Sequence, residues 1–177
     1  MNLQKIILIS FGYFDSEFLK KITENIHREF FVNVEIKDGH LDLSDFFEAE
    51  RGQYNANKLS HFIESHFSKD DSKIIGLFNV DIFIPIFTYI FGQAYLKGRS
   101  GIASSFRLSN ERYGIEADDD LLLERFSKEI IHELGHTYGL IHCYNSDFIM
   151  RSGTYVEDID QKNSSLCPKC KETLLSI

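Results

Sequence analysis

The sequence predicts an α/β fold, because strand-like and helix-like patterns alternate from the N-terminus and a second buried strand follows in mid-chain. Lys5–Ser10 is a short apolar run rich in isoleucine and bounded by Gly12, which is typical of a buried strand. Residues 73–78 form a similar run. Between them lie apolar side chains at helical spacing: Phe18, Leu19, Ile22, Ile26 and Phe30. A strand followed by a helix begins an α/β layer.

The elements around these strands follow from local signals. Asp15 or Ser16 can cap the first helix, and residues 32–37 alternate apolar and polar side chains, as a half-buried edge or outer strand does. Residues 38–53 are acidic and lack any period, which predicts a surface loop. Asn55 can cap a second helix, whose buried stripe would contain Leu59, Phe62, Ile63 and Phe67.

The most hydrophobic region, residues 74–95, is long enough to raise the alternative of a membrane span. Polar residues and a proline interrupt it, and no flanking pattern of lysine and arginine supports insertion. We expect instead a turn at residues 79–81 after the central strand and an apolar segment that ends at Gly92. Residues 93–97 and 101–108 are predicted strands around a glycine turn. The second could be an exposed edge, to which an extended peptide could add.

Length and composition limit the possible functions. A chain of 177 residues fits one compact domain, and its 43% apolar and 26% charged residues are ordinary for a globular protein. The net charge of −8 argues against nucleic acid and anionic membranes as partners. Three cysteines give no disulfide framework, and the N-terminal run lacks the cleavage site of a signal peptide. We therefore expect a monomer in the reducing cytoplasm.

The pair His132 and His136 predicts a zinc site. Two histidines four residues apart project from the same helix face and can hold one ion. An acidic run at residues 118–120 can cap this helix, and its opposite face carries an apolar stripe. Glu133 lies between the two histidines and is expected to act as general base rather than ligand.

A third ligand is predicted beyond the end of this helix. Gly139 can stop the helix in a left-handed conformation, so that His142 approaches from another direction and leaves the fourth tetrahedral position of zinc to water. The alternative is an amphipathic helix with solvated histidines. The combined spacing of His132, His136, Gly139 and His142 favours the metal site.

The string His-Glu-x-x-His-x-x-Gly-x-x-His at residues 132–142, followed by Met150, resembles the metzincin clan of zinc metallopeptidases. Cys143 directly after the third histidine, together with Cys167 and Cys170 in a Cys-x-x-Cys pair, is similar to the archaemetzincin family within that clan. The motif-bearing part of the resemblance covers residues 132–170.

The resemblance implies a mixed, mostly parallel sheet with packed helices, an active-site helix and a small C-terminal part with Met150 in a turn beneath the metal. A single metallopeptidase domain at 1–177 would then divide into an N-terminal lobe (1–139) and a C-terminal part (140–177). It also implies peptide hydrolysis by attack of a zinc-bound water, with Glu133 as general base. The alternative for Met150 is an ordinary core methionine.

The archaemetzincin resemblance further implies a second, structural zinc on four cysteines, but this sequence has Phe148 where the family pattern has the second cysteine. Cys143, Cys167 and Cys170 remain as three thiolate ligands, and water or Asp147 could complete a tetrahedral site. The alternatives are an apo thiol cluster and a disulfide between Cys167 and Cys170.

Two other functions are compatible with the motif. One is a catalytically silent, zinc-containing peptide-binding protein, which would keep every ligand but have a blocked cleft. The other is a metal-dependent hydrolase that acts on a substrate other than a peptide. Only the family resemblance, through His142 and Met150, argues against the second.

Overall fold

The computed structural model describes residues 5–67 and 71–177. The strands within these ranges are β1 (Lys5–Ser10), β2 (Val34–Asp38), β3 (Phe47–Glu48), β4 (Gln53–Asn55), β5 (Ser72–Phe78), β6 (Ile82–Phe83), β7 (Gly92–Ala94) and β8 (Ser100–Ser104). The α-helices are α1 (Ser16–Phe30), α2 (Ala56–Phe67), α3 (Asp119–Thr137), α4 (Val156–Gln161) and α5 (Pro168–Leu175). Short 3-10 turns lie at Leu43–Phe46, Phe106–Leu108 and Asn110–Tyr113.

The central sheet has five strands in the order β2-β1-β5-β8-β7. The first four are parallel, and β7 runs antiparallel to β8 at one edge. The predicted mixed, mostly parallel sheet with packed helices is confirmed. A small second sheet, in the order β3-β4-β6, lies outside it.

Helices cover both faces of this sheet, which explains why β1 is a continuous apolar run. Ile6 and Leu8 share a core with α1 and α3, whereas Ile7 and Ile9 share another with α2. Successive side chains of a strand point to opposite faces, so a strand buried on both faces needs an apolar residue at every position.

Local capping signals placed the helix starts correctly. Asp15 accepts hydrogen bonds from the backbone of Glu17 and Phe18 at the start of α1. Asn55 accepts one from Lys58 at the start of α2. Asp118 caps α3, so the predicted role of the acidic run is confirmed.

Two predictions about the loops and strands are wrong. Residues 38–53 are not one surface loop, since they contain a 3-10 turn, β3 and the first residue of β4. The Asp42 carboxylate starts this turn by accepting from the Ser44 backbone, and β4 pairs in parallel with β6. The pairing of β4 with β6 joins distant segments of the chain, so the local sequence pattern does not predict it.

The predicted strand at residues 101–108 is shorter than expected and does not form an edge. β8 ends at Ser104 and lies between β5 and β7. Its small residues fit this interior place: a Cβ on Gly101 would lie 2.7 Å from the Ala94 Cβ. The exposed edge beside the zinc motif is therefore β7, which is also shorter than the predicted 93–97.

The segment after α3 is joined to the rest of the fold by buried charges. Arg125, on α3, forms a two-pronged ion pair with Asp160 and also donates to the backbone oxygen of Leu108. Glu29, on α1, accepts from the Leu166 backbone. The division of the domain at residue 139 stays a prediction. Of the helices in residues 5–67 and 71–177, none has both the length and the apolar composition needed to cross a bilayer.

Candidate metal centre and cleft

The two motif histidines lie on one face of α3. The Nε2 atoms of His132 and His136 are 3.1 Å apart, and their rings are almost perpendicular. On the opposite face, Phe126, Ile130 and Leu134 are fully buried in the core. One face therefore packs while the other presents nitrogen donors, as predicted.

The chain after α3 turns back and brings in the third histidine. Gly139 has φ +92° and donates its backbone N–H to His136, so the predicted helix stop is confirmed. A possible ligand atom of His142 lies within 4.8 Å of those of His132 and His136. The structure thus brings together all three histidines singled out in the sequence.

Hydrogen bonds determine which ring nitrogen of His132 and of His136 can bind a metal ion. His132 Nδ1 lies 2.9 Å from the Ile149 carbonyl oxygen, and His136 Nδ1 lies 2.8 Å from that of Leu140. A carbonyl only accepts, so both Nδ1 atoms carry the proton and both Nε2 atoms have a free lone pair. Burial lowers the pKa of all three histidines, which favours neutral rings.

Three neutral imidazoles on one side of an open cleft form a donor set that fits a catalytic zinc ion. Such sites use three protein ligands and leave one position open. His132 is buried, whereas His142 is exposed at the mouth of the cleft. A substrate could therefore approach from the side of His142.

Met150 packs directly beneath the histidine-bearing turn of α3. It is fully buried, and a Cβ on Gly135 would lie only 2.5 Å from its Sδ atom. The sequence reasoning missed Gly135. Its position inside a predicted helix could have identified it. A glycine there lowers helix stability and is usually explained by close packing against another residue.

Glu133 lies in the wall of the same cleft, next to Glu129 one helical turn earlier. Both side chains are buried. Burial raises the pKa of Glu133 well above its usual value, and the charge of Glu129 raises it further. Among the described residues, Glu133 Oε2 has no hydrogen-bond partner. The Glu133 side chain shares a hydrogen bond with Glu129, which leaves Oε2 as the oxygen that can accept a proton from a molecule in the cleft.

The first residue of the edge strand β7 lies against this carboxylate. A Cβ on Gly92 would lie 2.8 Å from Glu133 Cγ and 2.8 Å from the Ile102 backbone oxygen. The backbone oxygen belongs to the paired strand β8 and cannot move away. Gly92 thus allows the sheet edge to approach Glu133 closely.

With Glu133 as the general base that the motif predicts, we expect Gly92→Ala to lower kcat/KM by about 10²-fold, since small misplacements of catalytic groups have effects of that order. Zinc content should stay unchanged. Peptide cleavage and metal analysis would check this. Gly114→Ala is a matched control, because it strains a backbone at φ +71° but meets no atom within 4 Å. A Gly92→Ala protein that cleaves as well as Gly114→Ala would contradict the prediction.

The cleft has a volume of about 460 Å³ and runs along β7 past the histidines. Its far wall is formed by residues 152–154, just after Met150, and by Ile159 and Lys162 at α4. Arg51 and Gln53 donate to the backbone oxygen of Thr88 and so hold the loop that leads to β7. The sequence reasoning did not identify Glu129 or Lys162, which are brought here only by the fold.

The three cysteines form a second cluster. Candidate ligand atoms of Cys143, Cys167 and Cys170 lie within 4.8 Å of one another, and the Sγ atoms of Cys143 and Cys167 are 3.6 Å apart. All three are free thiols. Cys167 caps α5 by accepting from the Cys170 backbone, and burial raises the pKa of Cys170 to about 12. No fourth histidine, cysteine or carboxylate ligand joins this group among the described residues.

Backbone hydrogen bonds connect the two clusters. The N–H of Cys143 donates to the Met150 carbonyl, and the neighbouring Ile149 carbonyl accepts from His132. The N–H of Ile149 donates to Ser165, two residues before Cys167. Residues 149–150 therefore lie between the histidine cluster and the cysteine cluster and contact both.

Comparison with known proteins agrees with this geometry. The family model described as Peptidase family M54 matches residues 4–176. An archaemetzincin from Sulfolobus acidocaldarius is 34% identical over 172 residues, which cover 96% of each chain. An archaemetzincin from Pyrococcus horikoshii is 37% identical over 164 residues, covering 89% of this chain and 85% of that one.

Solved structures show the same fold. The crystal structure of archaemetzincin from Methanopyrus kandleri has a TM-score of 0.85 at 29% identity, covering 99% of this chain and 95% of that one. A zinc-dependent peptidase from Methanocorpusculum labreanum has a TM-score of 0.82 at 30% identity, with 96% and 99% covered. Since the family model spans nearly the whole sequence and these relatives share its length and fold, the chain belongs to peptidase family M54, the archaemetzincin family of zinc metallopeptidases.

Proposed function

We propose that the protein hydrolyses peptide bonds, with zinc held by His132, His136 and His142 and with Glu133 as general base. The observation that carries this proposal is the convergence of the histidine donors on one side of a cleft whose wall contains buried Glu133, with one carboxylate oxygen that has no hydrogen-bond partner among the described residues. Such a combination suits metal-assisted hydrolysis.

When bound, zinc would act as a Lewis acid toward water and the scissile carbonyl. The Glu133 carboxylate would take the proton of the attacking water and then pass it to the leaving amine. Burial of Glu133 supports this role, because a raised pKa makes a carboxylate a stronger base. Met150 would keep the floor of the site dry and rigid without binding the metal.

The edge strand β7 would orient the substrate. Its other side pairs with β8, so its outer edge is available for main-chain hydrogen bonds with an extended peptide. A peptide added there would lie along the cleft in front of the histidines. The substrate strand that we propose therefore lies on β7 rather than on residues 101–108.

The test is cleavage of a peptide library by zinc-loaded, chelator-treated and zinc-restored protein, analysed by mass spectrometry. The proposal requires cleavage that disappears on chelation and returns with zinc. A protein that binds zinc stoichiometrically but cleaves nothing would instead be the catalytically silent peptide-binding protein. Cleavage that survives complete zinc removal would overturn the metal mechanism.

We also propose that Cys143, Cys167 and Cys170 hold a second zinc ion, closed by an external ligand such as water. Three sulfurs within 4.8 Å of one another and the position of the Cys167 thiol at the N-terminus of α5 support this site. Metal analysis should give about two zinc ions per chain for the wild type and about one for Cys170→Ser. The Cys170→Ser protein should still cleave peptides, and a wild type with a single zinc ion would refute the second site.

The location and the assembly state remain proposals. Three free thiols are consistent with a reducing compartment such as the cytoplasm. We propose a monomer, which size-exclusion chromatography with light scattering would test.

A further inference from the structure

We propose that Lys162 forms a carboxylate-binding subsite in the cleft, so that the enzyme prefers substrates that place a carboxylate beside the scissile bond. This inference rests on the proposed peptidase function and adds a substrate class to it. The observation behind it is a buried lysine side chain that lines the cleft and has no hydrogen-bond or ion-pair partner among the described residues.

Lys162 follows α4 directly and is only 5% exposed. Lysine is almost never this buried unless its charge is paired. It lines the same cleft as the three histidines and Glu133. Its Nζ atom would lie 3.4 Å from a Cβ at Gly153, so the absence of a side chain there leaves one side of the ammonium open.

Other buried lysines in the described part of the chain have partners. Lys73 donates to the backbone oxygens of Gly98 and Thr137. Lys128 donates to the Ile159 carbonyl and pairs with Glu124. In residues 5–67 and 71–177, the Lys162 ammonium makes neither a hydrogen bond nor an ion pair of this kind. Burial lowers the pKa of Lys162, and the charge of Glu129 only partly opposes this effect.

The nearest acidic side chains are committed elsewhere. Asp158 accepts from the backbones of Thr154 and Tyr155, and its other oxygen faces Arg151. Glu129 and Glu133 lie side by side in the cleft wall. Even with both of these ionised, zinc and Lys162 together would leave the cleft with a net positive charge. An incoming carboxylate would compensate that charge.

The same geometry discriminates against other substrates. An apolar group in this part of the cleft would remove water from the ammonium without replacing its hydrogen bonds, which is costly. A cationic group would be repelled by both Lys162 and zinc. We therefore expect kcat/KM to be highest for substrates with an acidic group in this part of the cleft, lower for a neutral group and lowest for a basic group. The carboxylate could come from an Asp or Glu side chain or from the C-terminus of a short peptide.

Matched peptide pairs test the inference. One pair differs by Glu or Gln next to the scissile bond, and another by a free or amidated C-terminus. In the wild type we expect the carboxylate form to have a kcat/KM about tenfold or more higher, since hydrogen bonds to charged groups have effects of that size. The pair that shows the effect identifies the source. Equal rates within both pairs would overturn the inference, although cleavage itself would still support the peptidase function.

Variants then assign the effect to this lysine. Lys162→Met keeps an unbranched side chain of similar length. In this variant the carboxylate and uncharged forms of each peptide pair should have nearly equal kcat/KM. Lys20→Met removes the same charge from the exposed face of α1 and should leave the ratio unchanged. A preference that persists in Lys162→Met would also overturn the inference. If that variant does not fold, Lys162→Gln replaces it, and the wild-type ratios stand independently.

A binding measurement separates this inference from the proposed function. Calorimetry with zinc-loaded Glu133→Gln protein measures affinity for the same peptides without cleavage. We expect the carboxylate form to bind about tenfold more tightly, and Lys162→Met in the same background to lose the difference. Should the wild type cleave no peptide at all, the peptidase proposal fails, while this measurement still decides whether Lys162 binds carboxylates.

Discussion

Glu133→Gln is expected to lower kcat/KM for peptide cleavage by about 10³-fold while zinc remains bound. A positioned general base contributes on the order of 10²- to 10⁴-fold, and glutamine cannot accept the proton. Glutamine has nearly the same size, so the packing against Gly92 should be preserved. The measurement is steady-state cleavage of one library-derived peptide, with zinc content determined on the same sample.

The Glu133 side chain shares a hydrogen bond with Glu129, and glutamine can keep it by donating its amide N–H to the Glu129 carboxylate. The Oε2 atom of Glu133 has no partner among the described residues, so removing the charge breaks no hydrogen bond of that atom. The neighbouring Glu129 opposes ionisation of Glu133, so a neutral amide should not lower the thermal midpoint. Glu24→Gln, at an exposed position of α1, is the matched control and should retain full activity. Wild-type rates in the Glu133→Gln protein would exclude the general-base role.

The convergence of the three histidines could be predicted from the sequence because all three lie within one short segment. His132 and His136 are one helical turn apart, and Gly139 needs only a left-handed backbone to redirect the chain to His142. Helix caps at Asp15 and Asp118 were equally predictable, since a cap involves residues two or three positions apart. In each case the residues that form the feature lie within one short segment of the chain.

The remainder of the site could not be predicted because it depends on contacts between distant segments. Gly92 reaches Glu133 only because β7 pairs with β8 and α3 packs against both strands. Lys162 reaches the cleft from the end of α4, 25 residues beyond the last residue of α3, Thr137. The strand order also contradicts the expectation of an exposed edge at residues 101–108. β8 lies inside the sheet because it pairs with β5 on one side and with β7 on the other. Such pairings follow from the whole sheet, not from local periodicity.

His142→Ala should remove the catalytic zinc and the activity together. Loss of a group that merely orients a ligand costs about 10- to 100-fold in metal affinity, so loss of a ligand itself should cost more. Without zinc, several kcal/mol of charge stabilisation in the transition state disappear, which corresponds to at least about 10³-fold in kcat/KM. Zinc per chain should fall from about two to about one, with the cysteine site retained.

His142 separates the chemistry of the site from the stability of the fold better than the other two histidines do. His132 is buried and hydrogen-bonded to the Ile149 carbonyl, so His132→Ala would leave that oxygen unpaired and create a cavity at a buried position. His142 is exposed, so His142→Ala should keep the thermal midpoint of the metal-free protein. His61→Ala, at an exposed position on α2, controls for the loss of a histidine. If His142→Ala still bound two zinc ions and cleaved peptides, the third ligand would have to be sought among other groups lining the cleft.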